Sequence, residues 1–136
     1  MTAASDRPSR LDARALRDLV LDPGSWRSWD SPIPARDVAE EYARELAAAA
    51  EKTRQDESII TGEGLLRGRR VAVVAGEFGF LAGSIGVAAA ERLVSAVERA
   101  TEEGLPLLAA PVSGGTRMQE GTVAFLQMIG ITAAIA

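Results

Sequence analysis

The stretch Leu105-Pro106-Leu107-Leu108-Ala109-Ala110-Pro111-Val112-Ser113-Gly114-Gly115-Thr116-Arg117-Met118-Gln119-Glu120-Gly121 decides how this 136-residue chain is read. Leu105 to Val112 is continuously apolar, the pattern of a strand buried on both faces. Two glycines then break the run. Thr116, followed three residues later by Gln119, predicts a capping box and a helix starting near Arg117. A strand, a glycine pair and a capped helix aim backbone N–H groups at one point beside the positive end of a helix dipole. A developing oxyanion requires donors of that kind, although an ordinary strand-turn-helix has the same spacing.

Upstream, Gly104 suits the C′ position of a helix predicted over 84–103, with Val87, Ala90, Leu93, Val94, Val97 and Ala100 on its buried side. The segment Gly76 to Gly86 before it is rich in glycine, but it lacks both G-x-G-x-x-G spacing and the Gly-Lys-Ser/Thr of a P-loop. Close backbone approach explains those glycines better than a nucleotide. Further back, Arg67-Gly68-Arg69 separates two strand-like runs, 58–65 and 70–77, as a hairpin turn does. Val38, Tyr42 and Leu46 place one apolar stripe on a helix over 35–53, followed by a polar loop at 54–58. A short helix over 11–21 stops at Asp22-Pro23-Gly24-Ser25. Residues 26–34, with Trp26 and Trp29, read as an irregular connector, and 1–10 as a frayed polar end. The organisation expected is an N-terminal extension over 1–34 and an α/β domain over 35–136. The final helix, with Met118, Phe125, Met128, Ile129 and Thr132 on its apolar side, has no stop signal before Ala136. Together with unpaired sheet edges, this predicts a unit completed by further residues or another chain.

Composition narrows the chemistry. The net charge is −4, the hydrophobic fraction 47% and Lys52 the only lysine, so no basic patch calls for nucleic acid. With no His and no Cys, the chain offers neither an imidazole base nor a thiolate, and no acidic spacing calls for a metal. Ser113 is then a poor nucleophile, since nothing nearby activates it. Arg117 is open to two readings: it neutralises a ligand's phosphate or carboxylate, or it pairs with Glu120 or another acid. No apolar run spans a bilayer and no signal peptide is evident, so the expected location is cytoplasmic.

The run through Ser113-Gly114-Gly115-Thr116-Arg117-Met118-Gln119-Glu120 resembles the signature of biotin-dependent acyl-CoA carboxyltransferases. Gly68 to Ala75, followed by Phe78-Gly79-Phe80-Leu81-Ala82-Gly83-Ser84-Ile85-Gly86, resembles a second block of that family. Tyr42 to Leu46, Glu51-Lys52-Thr53 and Leu21 to Trp26 match weaker elements in order. The tail at Phe125 to Met128 and Thr132 to Ala134 is similar to the β subunit of bacterial acetyl-CoA carboxylase, without that subunit's four-Cys zinc ribbon. Ala82 stands where the family has Gly, and Thr116 where it has Ala.

The resemblance implies a crotonase-like superhelix of β-β-α units, present in part. It implies transfer of CO2 from carboxybiotin to acetyl-CoA or another acyl-CoA, giving malonyl-CoA or a homologue for fatty acid biosynthesis. Gly114 and Gly115 would be the backbone oxyanion donors, and Ser113, Thr116, Arg117, Gly83 and Ser84 would contact substrate. Biotin would be carried on a partner, and a coenzyme A thioester would be the substrate. The implied partners are biotin carboxyl carrier protein, biotin carboxylase and the complementary carboxyltransferase half, in a homo- or hetero-oligomer without nucleic acid or membrane. The alternatives are a biotin-dependent or malonate decarboxylase component, and a non-catalytic interaction domain with the same fold.

Overall fold

The computed structural model describes residues 10–136; most of the frayed end expected at 1–10 lies outside them. The described residues build four strands and four α-helices in the order α1 (Ala13–Val20), β1 (Arg27–Ser28), α2 (Glu40–Thr53), β2 (Ile59–Leu66), β3 (Arg69–Gly76), α3 (Val87–Glu102), β4 (Leu107–Ala110) and α4 (Gly121–Ile135). Single 3-10 turns at Leu81–Gly83 and Met118–Glu120 interrupt the two glycine-rich connections.

The β2–β3 hairpin forms as expected, turning at Arg67 and Gly68, which both have positive φ. β4 adds parallel to β3, with α3 as the crossover, giving the sheet order β1-β2-β3-β4. α3 ends as the sequence indicates. Gly104 takes φ 64°, its N–H reaches the Thr101 carbonyl, and the Leu105 N–H reaches that of Ala100, a Schellman closure. Apolar side chains fill both faces of the hairpin. Val71, Val73 and Ala75 point toward α1 with Ala13 and Leu21, while Ile59 and Val74 point toward α3 with Ala89 and Ala96.

Several expectations are corrected. The connector over 26–34 contains β1, which pairs antiparallel with β2 because Trp26 lies over Gly62, where a Cβ would meet the indole at 2.6 Å. α2 starts at Glu40, not 35. β4 is shorter than predicted and is not buried on both faces: Leu108 is 39% exposed. The Thr116–Gln119 capping box does not form. Arg117 is extended, Gln119 instead donates to Glu45 Oε2 at 2.6 Å, and α4 begins only at Gly121 (φ 62°). α4 also turns a different side inward, with Ala124 buried while Phe125 and Ile129 are 65% and 68% exposed.

Candidate active site

The two glycine-rich connections run side by side and are stitched together through their backbones. Gly114 N–H donates to Ala82 O at 2.9 Å, Ile85 N–H to Gly115 O at 2.9 Å and Arg117 N–H to Ile85 O at 3.0 Å. Close approach requires the glycines here. A Cβ on Gly83, which sits at φ 68°, would lie 1.9 Å from Val112 O, and one on Gly114 would lie 2.9 Å from Ala82 O. Leu81 (φ 46°) and Ala82 (φ 56°) precede Gly83 in the same left-handed region, which costs roughly 1–2 kcal/mol for a residue with a Cβ. The mutual hydrogen bonds hold that strain in place. All seven residues singled out from the sequence, Gly83, Ser84 and Ser113 to Arg117, therefore meet in one structure.

Their roles separate. Arg117 is fully buried. Its guanidinium meets Glu57 with both terminal nitrogens, Nη2 to Oε1 at 2.5 Å and Nη1 to Oε2 at 3.0 Å. It also donates to Ser84 O at 2.6 Å and to Tyr42 Oη at 3.3 Å, and lies over the Phe80 ring. Of the two readings of Arg117, the acid pair is the one observed. Ser84 belongs to the same brace, since its carbonyl also accepts from Ser58 Oγ at 2.7 Å.

Glu57 takes a further bond from Arg36 at 2.9 Å and one from its neighbour's N–H, Ser58, at 2.7 Å. Burial opposes its charge, but the bonds and charge of Arg117 outweigh that and hold the carboxyl below its ordinary range. Burial likewise works against the Arg117 charge, and Glu57 overcomes it, raising an already high pKa. Tyr42 moves up, first through burial and then through its bond to Glu120 Oε2 at 2.5 Å. The other oxygen of Glu120 caps α3, accepting from Val87 N–H at 2.8 Å. Gly86 leaves room for that carboxylate, because a Cβ there would come within 2.0 Å of it.

In front of this brace the turn is open. Ser113, Gly114 and Gly115 are exposed, and nothing lies within 4 Å of where a Cβ on Gly115 (φ 100°) would sit. The Gly115 N–H donates to Ser113 Oγ at 2.9 Å, a bond at the surface. The two expected oxyanion donors thus differ. The Gly114 amide donates to Ala82 O as an anchor between the loops; the Gly115 amide rests on an exposed hydroxyl that can rotate away. Thr116 is half-buried in the bridge to Ile85.

Glu57, Arg36 and Ser58 are the residues the sequence did not single out, and Tyr42 was read only as part of an apolar stripe and of a weaker family element. Glu57 had been placed in a polar loop, and no local spacing ties it to an arginine 60 positions away. Only Glu120 was foreseen as a partner.

The paired loops and their arginine brace occur in a chain whose residues 8–136 match the carboxyl transferase domain family. The chain belongs to that family. It is 68% identical, over 93% of its length, to a probable biotin-dependent acyl-coenzyme A carboxylase beta3 subunit of Mycobacterium tuberculosis, covering 26% of that protein. It is 37% identical to the acetyl-coenzyme A carboxylase carboxyl transferase subunit beta of Agrobacterium fabrum, covering 97% of this chain and 46% of that one. Among solved structures it superposes on transcarboxylase 12S, with hydrolysed methylmalonyl-coenzyme A bound, at a TM-score of 0.74 and 25% identity, over 92% of this chain and 23% of that one. It also superposes on the Pseudomonas malonate decarboxylase MdcD-MdcE heterodimer at 0.65 and 26%, over 92% and 46%. The fold class is α/β and crotonase-like, as expected, in partial form. The chain spans between about a quarter and a half of the length of the curated relatives named here. Among the described residues no helix is long and apolar enough to cross a membrane.

Proposed function

We propose that the chain supplies the acyl-CoA side of the carboxyltransferase site in a biotin-dependent acyl-CoA carboxylase. One observation carries this reading: an exposed glycine turn, Ser113 to Gly115, is held from behind by a fully buried arginine brace. Such a turn can meet a thioester oxygen without rearranging, and preorganised donors are the largest electrostatic contribution to reactions of this type. In this reading the thioester carbonyl approaches Gly115, where no Cβ obstructs it. The Gly115 N–H exchanges Ser113 Oγ for the oxygen, which gains negative charge as the enolate forms. Carboxybiotin, carried on a partner protein, would supply the carboxyl group as CO2, and the ureido nitrogen freed by that release would take the α-proton whose loss forms the enolate. The turn offers one narrow edge, fitted to a carbonyl oxygen and not to a bicyclic ring, so no residue of this chain is assigned to hold biotin. With acetyl-CoA the product would be malonyl-CoA, and the reading extends to a cytoplasmic role in fatty acid synthesis, with biotin carboxylase, carrier and the complementary carboxyltransferase half as partners.

The test is carboxyl transfer by the assembled enzyme with biotin carboxylase and carrier, comparing acetyl-CoA with propionyl-CoA. Failure to carboxylate any acyl-CoA overturns the proposal. The likeness to malonate decarboxylase favours one second reading, decarboxylation of a malonyl thioester, and CO2 release without carboxylation selects it. Within the first reading, Ser113→Ala frees the Gly115 amide. Since a neutral hydrogen bond contributes about 0.5–1.5 kcal/mol, kcat/KM is expected to rise roughly two- to tenfold. A fall would remove Gly115 from the mechanism.

A further inference from the structure

Beside the Ser113–Gly115 turn a cleft of about 590 Å³ opens between α2 and the first glycine-rich connection. Glu45, Ala48, Ala49 and Lys52 line it from α2, and their spacing of three and four residues puts them on one face of that helix. Phe78, Leu81 and Ala82 line it from the connection. Leu81 (φ 46°) and Ala82 (φ 56°) carry their side chains on left-handed backbone, and strain of this kind gathers where ligands are held.

The lining is apolar between two charges that balance. Among the described residues Lys52 is its one cation and Glu45 its one anion, and Glu45 is drawn toward Gln119, which donates to it at 2.6 Å. Arg10 stacks on the Phe78 ring, 4.3 Å from its centre, without lining the cleft. A polyphosphate would meet a single lysine with a carboxylate on the same helix face, whereas recognition of such an anion uses converging donors. A hydrocarbon chain asks only for apolar walls.

The inner end of the cleft adjoins the turn. Ala82 O accepts from Gly114 N–H at 2.9 Å, and Ala82 Cβ lies 3.4 Å from where a Cβ on Gly114 would stand. Gly114 has no Cβ, so a chain leaving a carbonyl held at Gly115 can pass over it and reach the wall formed by Ala82. We propose that this cleft receives the acyl chain of the thioester, which makes longer aliphatic acyl-CoAs better substrates than acetyl-CoA. The inference rests on the acyl-CoA reading above and adds the class of acyl group.

The experiment compares kcat/KM for acetyl-CoA, butyryl-CoA and hexanoyl-CoA in carboxyl transfer by the assembled enzyme with biotin carboxylase and carrier. Full burial of a methylene is worth roughly fourfold. Against an open wall about twofold per methylene is expected, so hexanoyl-CoA should exceed acetyl-CoA about tenfold. Ala48→Phe fills the cleft from an exposed helical position and is expected to lower hexanoyl-CoA about tenfold more than acetyl-CoA. Phe78→Ala removes a wall that is 45% exposed. It is expected to cut the advantage of hexanoyl-CoA about threefold, and it keeps the test alive should the first variant fold poorly. A flat or falling profile in the wild type overturns the inference, as does an advantage that survives both variants. An equal loss for every acyl-CoA in Ala48→Phe also overturns it, because that would give the cleft to the coenzyme arm they share. Carboxylation of no acyl-CoA at all would sink the underlying reading and the inference with it.

Discussion

The brace behind the Ser113–Gly115 turn and the helix that follows it lie only a few residues apart, yet they are built on opposite principles. The Arg117 and Glu57 side chains are fully buried, and every charged group around them meets a partner. Along α4 the apolar side chains Phe125, Leu126 and Ile129 stand in the open while only Ala124 is buried. The first region spends polar groups to fix the position of a loop. The second holds more apolar surface than the rest of the chain covers. Rigidity at the turn therefore comes from ion pairing, not from the apolar helix beside it.

The largest test of that contrast is to break the brace. Glu57→Gln or Arg117→Met leaves its partner buried and unmatched, and destabilisation of about 3–5 kcal/mol is expected by chemical denaturation. The double variant is expected to recover part of the loss, since it leaves neither charge stranded. Equal losses in single and double variants would mean that packing, not charge, holds the loop. The pair also gives stability a pH dependence. The Glu57 carboxyl is held below its ordinary value of 4.5, so its contribution is complete above that value and is lost as pH falls through the lower value it has in the folded chain. Wild type is expected to lose stability below about pH 4.5 more steeply than Glu57→Gln.

A smaller effect is expected where the two loops touch. Gly83→Ala brings a Cβ to 1.9 Å from Val112 O at a position of φ 68°. Destabilisation of at least about 1–3 kcal/mol is expected from strain alone, with loss of carboxyl transfer as the turn shifts. Thermal unfolding and activity are to be read together. Full activity with normal stability would show that the loops tolerate separation. The converse change is milder: Ala82→Gly relieves a left-handed residue with a Cβ at φ 56° and is expected to stabilise by roughly 0.5–1 kcal/mol.

The same contrast marks what was legible in the sequence. The hairpin, the α3 helix and its Gly104 closure followed from local patterns, because glycine, apolar alternation and capping act over a few residues. The two glycine loops were legible as motifs, and they do meet. The partner of Arg117 was not, because Glu57 lies on the far side of the hairpin in sequence and ion pairing leaves no periodic trace. The Thr116–Gln119 box failed for a related reason. Glu45 on α2 competes for Gln119, and Glu120 turns away to cap α3, so tertiary partners outbid the local cap. The apolar face of α4 was misassigned because Ala, Phe, Leu, Met and Ile surround that helix on all sides, leaving periodicity nothing to select.

The smallest effect tests the other side of the comparison. Ile129 is 68% exposed on α4, so in the chain by itself Ile129→Gln is expected to change stability by less than about 0.5 kcal/mol, as exposed substitutions do. The same substitution in the assembled enzyme is the informative measurement. A cost there of about 2 kcal/mol or more, the scale for losing a buried aliphatic side chain, would mean that another surface covers α4. The helix would then resemble the brace in being fully matched, with apolar contact in place of charge. A cost that stays near zero in both settings would leave α4 as open surface, and the turn supported by the buried ion pair and the backbone bonds between the two loops alone.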